Sequence, residues 1–120
     1  MSDEVLGATF RAKKCLPCEG GVDACSIEQA RNWMNGLNGW QLDDSGKKIS
    51  KSWKLRNFVD CLAKANAIGA LAEEEAHHPD VHIESYRMLR VEIWTHAIGG
   101  LSENDFILAA KIDGMDSVIQ

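Results

Sequence analysis

The residues of this chain best suited to proton transfer lie in two short segments. One reads Glu-Glu-Glu-Ala-His-His-Pro-Asp over residues 73–80, and the other reads Trp-Thr-His over residues 94–96. Histidine titrates near neutral pH, so it can serve as a general acid or base. If the chain between them forms a hairpin that turns near residues 87–88, antiparallel pairing brings Pro79 opposite His96. The spacing therefore predicts that three imidazoles meet at one end of a sheet, those of His77, His78 and His96.

Two carboxylates precede the histidine pair at helical spacing. Glu73 and Glu74 lie four residues before His77 and His78, on the same face of a helix, and would orient or tune the imidazoles. Two other interpretations stay open. The histidine pair could simply end a helix, where the helix dipole favours cationic groups. Histidine with glutamate also suits zinc, but the H-E-x-x-H spacing of a zinc protease helix is missing, and we expect no metal.

Amphipathic patterns predict three helices, and period-two alternation predicts the strands between them. The helices are expected at 26–36, 58–76 and 105–112, the first and third opened by capping boxes at Ser26 and Ser102. The strands are expected at 40–42, 49–55, 80–86 and 89–96. The order α-β-β-α-β-β-α is typical of the α+β class, here a four-stranded antiparallel sheet with three helices packed on one face. Residues 1–25 are expected to form a loop-like arm, and 26–120 a single domain.

Bulk properties narrow the classes of function. The chain has 120 residues, one domain by length, and a net charge of −5 without clustered basic residues. This charge argues against binding to nucleic acid or an anionic membrane. No run approaches the roughly 20 apolar residues of a membrane span. The acidic start is unlike a signal peptide, and we expect a cytoplasmic protein.

The four cysteines form no complete metal motif. Cys15 and Cys18 make one C-x-x-C, Cys25 stands alone, and Cys61 lies within an apolar helical pattern. A structural zinc site commonly needs a second such pair. The Glu-Gly-Gly that follows Cys18 favours a loop rather than the helix of a redox motif. We expect inert, reduced thiols, with metal binding and redox activity as the alternatives.

Taken in order, these motifs resemble the pterin-4a-carbinolamine dehydratase family, whose animal members also act as a dimerisation cofactor of a homeodomain transcription factor. The resemblance covers roughly residues 26–114, and the combination of motifs is specific to the family. The early Cys-x-x-Cys-Glu-Gly-Gly is similar to an arm of bacterial members. The segments that carry the resemblance are Gly39-Trp40, Trp53, Phe58, His77-His78-Pro79-Asp80, Tyr86, Thr95-His96, Gly100–Asp105 and Leu108–Asp113.

The resemblance implies a hydro-lyase that removes water from a 4a-hydroxytetrahydropterin to give a quinonoid dihydropterin. It implies His77 and His96 as candidate acids for the departing hydroxyl, and His78 as a ring-binding residue that assists at N5. Glu73 matches a family carboxylate, and Asp105 matches a family aspartate whose other interpretation is helix capping. The other residues expected at the substrate are Ala76, Pro79, Thr95, Ala97 and Trp40, of which Trp40 could instead pack in the core.

The resemblance also implies a homodimer or homotetramer and recycling of the pterin for an aromatic amino acid hydroxylase. The pterin is the substrate, and no cofactor is expected. Two departures stand out: the interval from His78 to His96 is one residue longer than in the family, and Ala97 replaces a common acidic residue. The rival functions are a non-catalytic binding or assembly partner on the same fold and a metal-dependent hydrolase.

Overall fold

The structure, a computed structural model, describes residues 3–15 and 24–119 of the chain. The helices of this part are α1 (Asp3–Ala12), α2 (Ile27–Met34), α3 (Phe58–Glu75) and α4 (Glu103–Ile119), with a 3₁₀ turn at His96–Ile98. The strands are β1 (Gln41–Leu42), β2 (Ile49–Lys54), β3 (Asp80–Glu84) and β4 (Met88–Ile93). They form one antiparallel sheet in the order β1-β2-β4-β3. The predicted α+β class and four-stranded sheet are confirmed.

The core lies between one face of the sheet and the helices. Alternate residues of β4 are fully buried, namely Leu89, Val91 and Ile93. They share one apolar cluster with Ile68 of α3 and with the buried run of α4 that begins at Phe106. The alternation in the sequence therefore identified the inward face of β4 correctly, because apolar side chains of a half-buried strand point to the core at every second position.

The helix count differs from the sequence prediction, because the arm expected to be a loop contains α1. Its Phe10 is 1% exposed, and its ring centroid lies 6.2 Å from that of Trp33 and 6.1 Å from that of Phe106. Gly7 is also buried, and a Cβ there would lie 2.7 Å from the carbonyl oxygen of Gly36. Contacts that are distant in sequence thus stabilise α1, so local patterning was a weak guide to it.

The hairpin of β3 and β4 turns earlier than the spacing predicted. Asp80 pairs with Glu92 and Glu84 with Met88, without a bulge. Ser85 and Tyr86 both have left-handed φ angles, 48° and 53°, which tighten the turn. The predicted pairing of Pro79 with His96 is therefore wrong, and β4 ends at Ile93 rather than at His96. None of the helices in the described ranges is long and apolar enough to cross a bilayer.

Candidate active site

The carboxyl end of α3 presents two of the predicted histidines. Asn57 caps the other end of this helix by accepting a hydrogen bond from the backbone N–H of Asp60. At the carboxyl end Ala76 adopts a left-handed conformation (φ 53°, ψ 37°), and its N–H bonds back to the carbonyls of Ala72 and Glu73. This is the usual way in which a helix is terminated by one left-handed residue. The chain is thereby turned so that His77 and His78 leave the helix axis.

The third histidine lies on a short loop beyond β4. Thr95 and Gly100 close this loop, with the N–H of Thr95 donating to the carbonyl of Gly100 at 2.8 Å. The 3₁₀ turn between them begins at His96 and ends at Gly99, which has a φ of 62°. His96 is exposed, whereas Thr95 is buried. The sequence placed His96 on a strand, and the structure places it on this loop.

One cleft of about 230 Å³ brings the three predicted histidines together. Of the other residues predicted at the substrate, Ala76, Thr95 and Ala97 also line it, while Pro79 and Glu73 do not. The cleft thus joins the end of α3 to the loop after β4, although the predicted strand register was wrong. Its lining residues are Ala76, His77, His78, Trp94, Thr95, His96 and Ala97.

A buried carboxylate holds His77. Asp105, in the first turn of α4, is fully buried, and its Oδ1 lies 2.6 Å from Nε2 of His77. Its Oδ2 accepts hydrogen bonds from the Thr95 hydroxyl and from the Ser102 N–H, each at 2.8 Å. A carboxylate can only accept hydrogen bonds, so Nε2 of His77 carries the shared proton. Asp105 therefore caps α4 and orients His77 at the same time.

An exposed carboxylate holds His78. Nε2 of His78 bonds to Oε2 of Glu73, and the two side chains are 64% and 76% exposed. Helical spacing had assigned Glu73 to His77 and Glu74 to His78. The pairing shifts by one residue because α3 ends at Glu75 and the left-handed Ala76 redirects the chain. Glu73 thus orients an imidazole of the cleft from outside the lining.

His96 is held by an aromatic ring. Its imidazole is stacked on the indole of Trp94, with centroids 4.2 Å apart and an interplanar angle of 28°. Nζ of Lys48 lies 4.3 Å from the centroid of the same indole. Trp94 was not among the predicted site residues. Its signal was its position on the polar face of the β4 alternation, where a large aromatic residue is exposed unless it has a partner.

Trp40 lies elsewhere, in the core. It is 7% exposed, its Nε1 donates to Oδ1 of Asp113 at 2.9 Å, and its ring packs edge-on against Trp53 at 6.2 Å. The structure does not bring Trp40 to the cleft. Core packing, the alternative left open for it, agrees with these contacts.

The cleft histidines do not form a metal-binding group. Within residues 3–15 and 24–119, only Asp80, His82 and Glu92 bring three potential ligand atoms within 4.8 Å of one another. Glu92 is already bonded to His82 at 3.0 Å and to Arg90 at 2.8 Å. Burial raises the pKa of Glu92, but these two partners outweigh it and hold the pKa below its ordinary value. This group lies on the β3–β4 ladder, outside the cleft.

The described cysteines, Cys15, Cys25 and Cys61, are free thiols. Burial above all, together with the neighbouring Glu75 carboxylate, raises the pKa of Cys15 to about 12. Burial also raises the pKa of Cys25. Such thiols hold their protons at neutral pH and are poor nucleophiles or ligands. Cys18 lies outside the described residues, so the expectation that the Cys15–Cys18 pair is inert and reduced stays a prediction.

The sequence is similar to those of known pterin dehydratases. The profile of the family described as pterin 4 alpha carbinolamine dehydratase matches residues 23–115. A Rickettsia canadensis protein provisionally named as such a dehydratase is 50% identical over 102 residues, 84% of this chain and 92% of its own. The mitochondrial pterin-4-alpha-carbinolamine dehydratase 2 of Arabidopsis thaliana is 41% identical over 109 residues, 88% of this chain and 58% of its own.

Two solved structures share the fold. A transcriptional coactivator/pterin dehydratase from Brucella melitensis superposes with a TM-score of 0.70 at 25% identity, over 78% of this chain and 98% of its own. A pterin dehydratase-like RuBisCO assembly factor of the alpha-carboxysome gives a TM-score of 0.54 at 18% identity, over 65% of this chain and 89% of its own. The family profile and the close relatives decide the assignment: this chain belongs to the pterin 4 alpha carbinolamine dehydratase family.

Proposed function

We propose that this chain is a 4a-hydroxytetrahydrobiopterin dehydratase. The observation that supports the proposal is the cleft itself, which is lined by three imidazoles from two separate segments. Removing water from the substrate takes one proton from N5 and delivers one proton to the 4a-hydroxyl. Groups that both accept and donate protons near neutral pH suit this exchange, and imidazoles are such groups.

The bonds change in one elimination. A base takes the N5 proton, the electron pair left on N5 forms the N5–C4a double bond, and the C4a–O bond breaks. An acid protonates the departing hydroxyl, which leaves as water, and the product is a quinonoid dihydropterin. We assign His78 to the N5 side, and His77 and His96 to the hydroxyl side. The carboxylates Asp105 and Glu73 fix the tautomers of their histidines, as a buried aspartate does in a catalytic triad.

Three of the other cleft residues, Ala76, Thr95 and Ala97, have small side chains, which leaves room for a flat bicyclic ring. We propose that the backbone around Ala76 and the Thr95–Ala97 segment bind the pterin edge. Pro79 helps by restricting the backbone conformation of His78. Trp40 lies in the core and is not one of the proposed substrate-binding residues. The proposed enzyme needs no metal, works in the cytoplasm as a homodimer or homotetramer, and regenerates pterin for an aromatic amino acid hydroxylase.

A second function on this fold is a non-catalytic assembly partner. The RuBisCO assembly factor has the same fold, so the fold alone does not decide between the two functions. An assembly partner has no use for three imidazoles on one cleft, each with its own supporting side chain. The supported imidazoles therefore favour the enzyme.

The direct test follows the dehydration of freshly made 4a-hydroxytetrahydropterin by absorbance, with the wild-type protein and the His78→Ala variant. We expect the wild-type protein to exceed the spontaneous rate and His78→Ala to lose about 10²-fold or more in kcat. The matched control is His82→Ala, which removes the fourth histidine from the β3–β4 ladder outside the cleft. A wild-type rate equal to the spontaneous one would support the assembly partner instead.

A further inference from the structure

The support of His96 differs from that of the other two histidines. His77 bonds to Asp105 and His78 bonds to Glu73. In the described part of the chain, no hydrogen bond reaches the imidazole of His96, which lies on the exposed loop after β4. Its ring contact is the stack on Trp94, at 4.2 Å between centroids. The side chain of a loop residue samples several rotamers unless a neighbouring group restrains it. For His96 that group is the indole of Trp94.

Trp94 has its own support from the β1–β2 turn. Lys48 places its ammonium 4.3 Å from the indole centroid, within the range of a cation–π contact. Trp94 thus directly follows the last residue of β4, and its indole has the Lys48 ammonium over its ring. The same residue lines the cleft.

Asp43 fixes the backbone that carries Lys48. Its Oδ1 accepts hydrogen bonds from the N–H groups of Lys47 at 2.9 Å and Lys48 at 3.2 Å, and its carboxylate also accepts from the hydroxyl of Ser45. Burial raises the pKa of Asp43, but these hydrogen bonds outweigh it and hold the pKa below its ordinary value. The carboxylate therefore stays charged near neutral pH and keeps the turn in one conformation.

We propose that Trp94 is the positioning residue for His96: the indole stacks on the imidazole and holds it in the cleft, with Lys48 steadying the indole. The inference rests on the proposed dehydratase function for its kinetic consequence, but not for its structural one. In the proposed reaction Trp94 touches no reacting atom. It acts by keeping His96 where the departing hydroxyl is protonated.

The kinetic test compares Trp94→Leu with Trp94→Phe. Misplacing a catalytic group by about 1 Å can cost roughly 10²-fold in rate. We expect Trp94→Leu to lower kcat by about tenfold to a hundredfold, because the imidazole is displaced by up to about that distance. KM should change by less than about threefold. Trp94→Phe keeps an aromatic face and should recover most of kcat. In the double variant Trp94→Leu/His96→Ala, the rate should equal that of His96→Ala alone, because the indole then has no imidazole to position.

Two matched controls separate positioning from folding. Trp53→Leu removes an indole that packs against Trp40 and does not line the cleft, and Lys47→Met removes a cation next to Lys48. Neither should reproduce the fall in kcat. A rise in KM with unchanged kcat in Trp94→Leu would assign the indole to substrate binding and overturn the proposal. Equal further losses in wild-type and His96→Ala backgrounds would also overturn it.

A spectroscopic measurement tests the proposal without the activity. An imidazole stacked on an indole has its ring protons shifted upfield by the ring current. We expect the His96 ring-proton resonances of the substrate-free protein to move downfield in Trp94→Leu, and those of His82 to stay in place. If the wild-type protein has no dehydratase activity, the proposed function fails and this shift still decides the role of Trp94. Unmoved His96 resonances would refute the stack itself.

Discussion

At the scale of single residues, Asp105 has two tasks that a conservative substitution can separate. It caps α4 through the Ser102 N–H and it orients His77 through Nε2. In Asp105→Asn the amide oxygen can still accept from Ser102, but the amide NH₂ would face an N–H of His77. The imidazole is then driven to its other tautomer, as when the aspartate of a triad becomes asparagine.

We therefore expect Asp105→Asn to lower the kcat of the proposed dehydratase by about 10²- to 10⁴-fold, the range of general acid–base catalysis. The free energy of unfolding should fall by only about 1 kcal/mol, the usual cost of a weakened cap. Absorbance assays and urea denaturation measure the two effects. The control is Asp60→Asn, an acidic first-turn residue of α3 that does not line the cleft. Comparable loss of kcat in both variants would refute a role for Asp105 at His77.

How far the sequence predicts the site also depends on single residues. The histidine pair could be placed at the end of a helix because Pro79 disfavours continuing it. The left-handed Ala76 could not be foreseen, since alanine rarely adopts that conformation. That residue redirected the chain, so that Glu73 bonds to His78 instead of the expected His77. Trp94 was missed because its place on the polar face of β4 was only a weak signal, and its stack on His96 is a tertiary contact that composition and periodicity do not encode.

At the scale of elements, a buried ion pair joins three segments behind the cleft. Glu75, the last residue of α3, accepts from Nζ of Lys111 on α4 at 2.7 Å and from the N–H of Cys15 at 2.8 Å. Its side chain is 3% exposed. The pair lies immediately before Ala76 and the histidines. It therefore ties the end of α3 to α4 and to the segment after α1.

Lys111→Met should destabilise the protein strongly. Removing one partner of a buried ion pair leaves an uncompensated charge and costs about 3–5 kcal/mol. Because Lys14 also lies 3.9 Å from Glu75, we expect the lower end, about 3 kcal/mol, in urea denaturation. The double variant Glu75→Gln/Lys111→Met should recover part of the loss. The control Lys13→Met breaks the exposed Lys13–Glu103 pair and should cost less than about 1 kcal/mol; an equal cost for the two lysines would contradict the argument.

Elements with a regular apolar pattern are predicted better from the sequence than elements that depend on distant contacts. Helix α3, predicted at 58–76, is Phe58–Glu75, so its position was predicted closely. The alternation of β4 identified its buried face, but this strand, predicted at 89–96, is Met88–Ile93. Helix α1 carries local signals, with Asp3 and Glu4 in its first turn and Arg11 in its last. Its place in the fold depends on Phe10 packing against distant rings, which the sequence does not show. The β3–β4 register depends on two left-handed residues, Ser85 and Tyr86, that ordinary turn preferences do not predict.

At the scale of the whole molecule, three carboxyl groups make the fold sensitive to acid. Burial raises the pKa of Glu75, but the hydrogen bonds from Lys111 and from the N–H of Cys15 outweigh it, and the net pKa is lowered. For Asp43 and Glu92 too, burial raises the pKa but hydrogen bonds, and at Glu92 also nearby charges, lower it more, so the pKa of each is below its ordinary value. A carboxyl with a lower pKa in the folded state binds its proton more readily after unfolding. Its stabilising contribution is therefore complete above the unfolded pKa of about 4 and is lost as the pH falls through the folded pKa.

Glu75→Gln isolates one of these contributions. We expect the difference in free energy of unfolding between the wild type and Glu75→Gln to be largest above about pH 5 and to shrink below about pH 4. It shrinks because acid protonates Glu75 in the wild type and leaves it neutral, as the glutamine already is. Urea denaturation of both proteins from pH 3 to pH 7, with fluorescence of the tryptophans as the signal, gives the difference directly. A difference as large at pH 3 as at pH 6 would mean that Glu75 stabilises the fold through packing rather than through its charge.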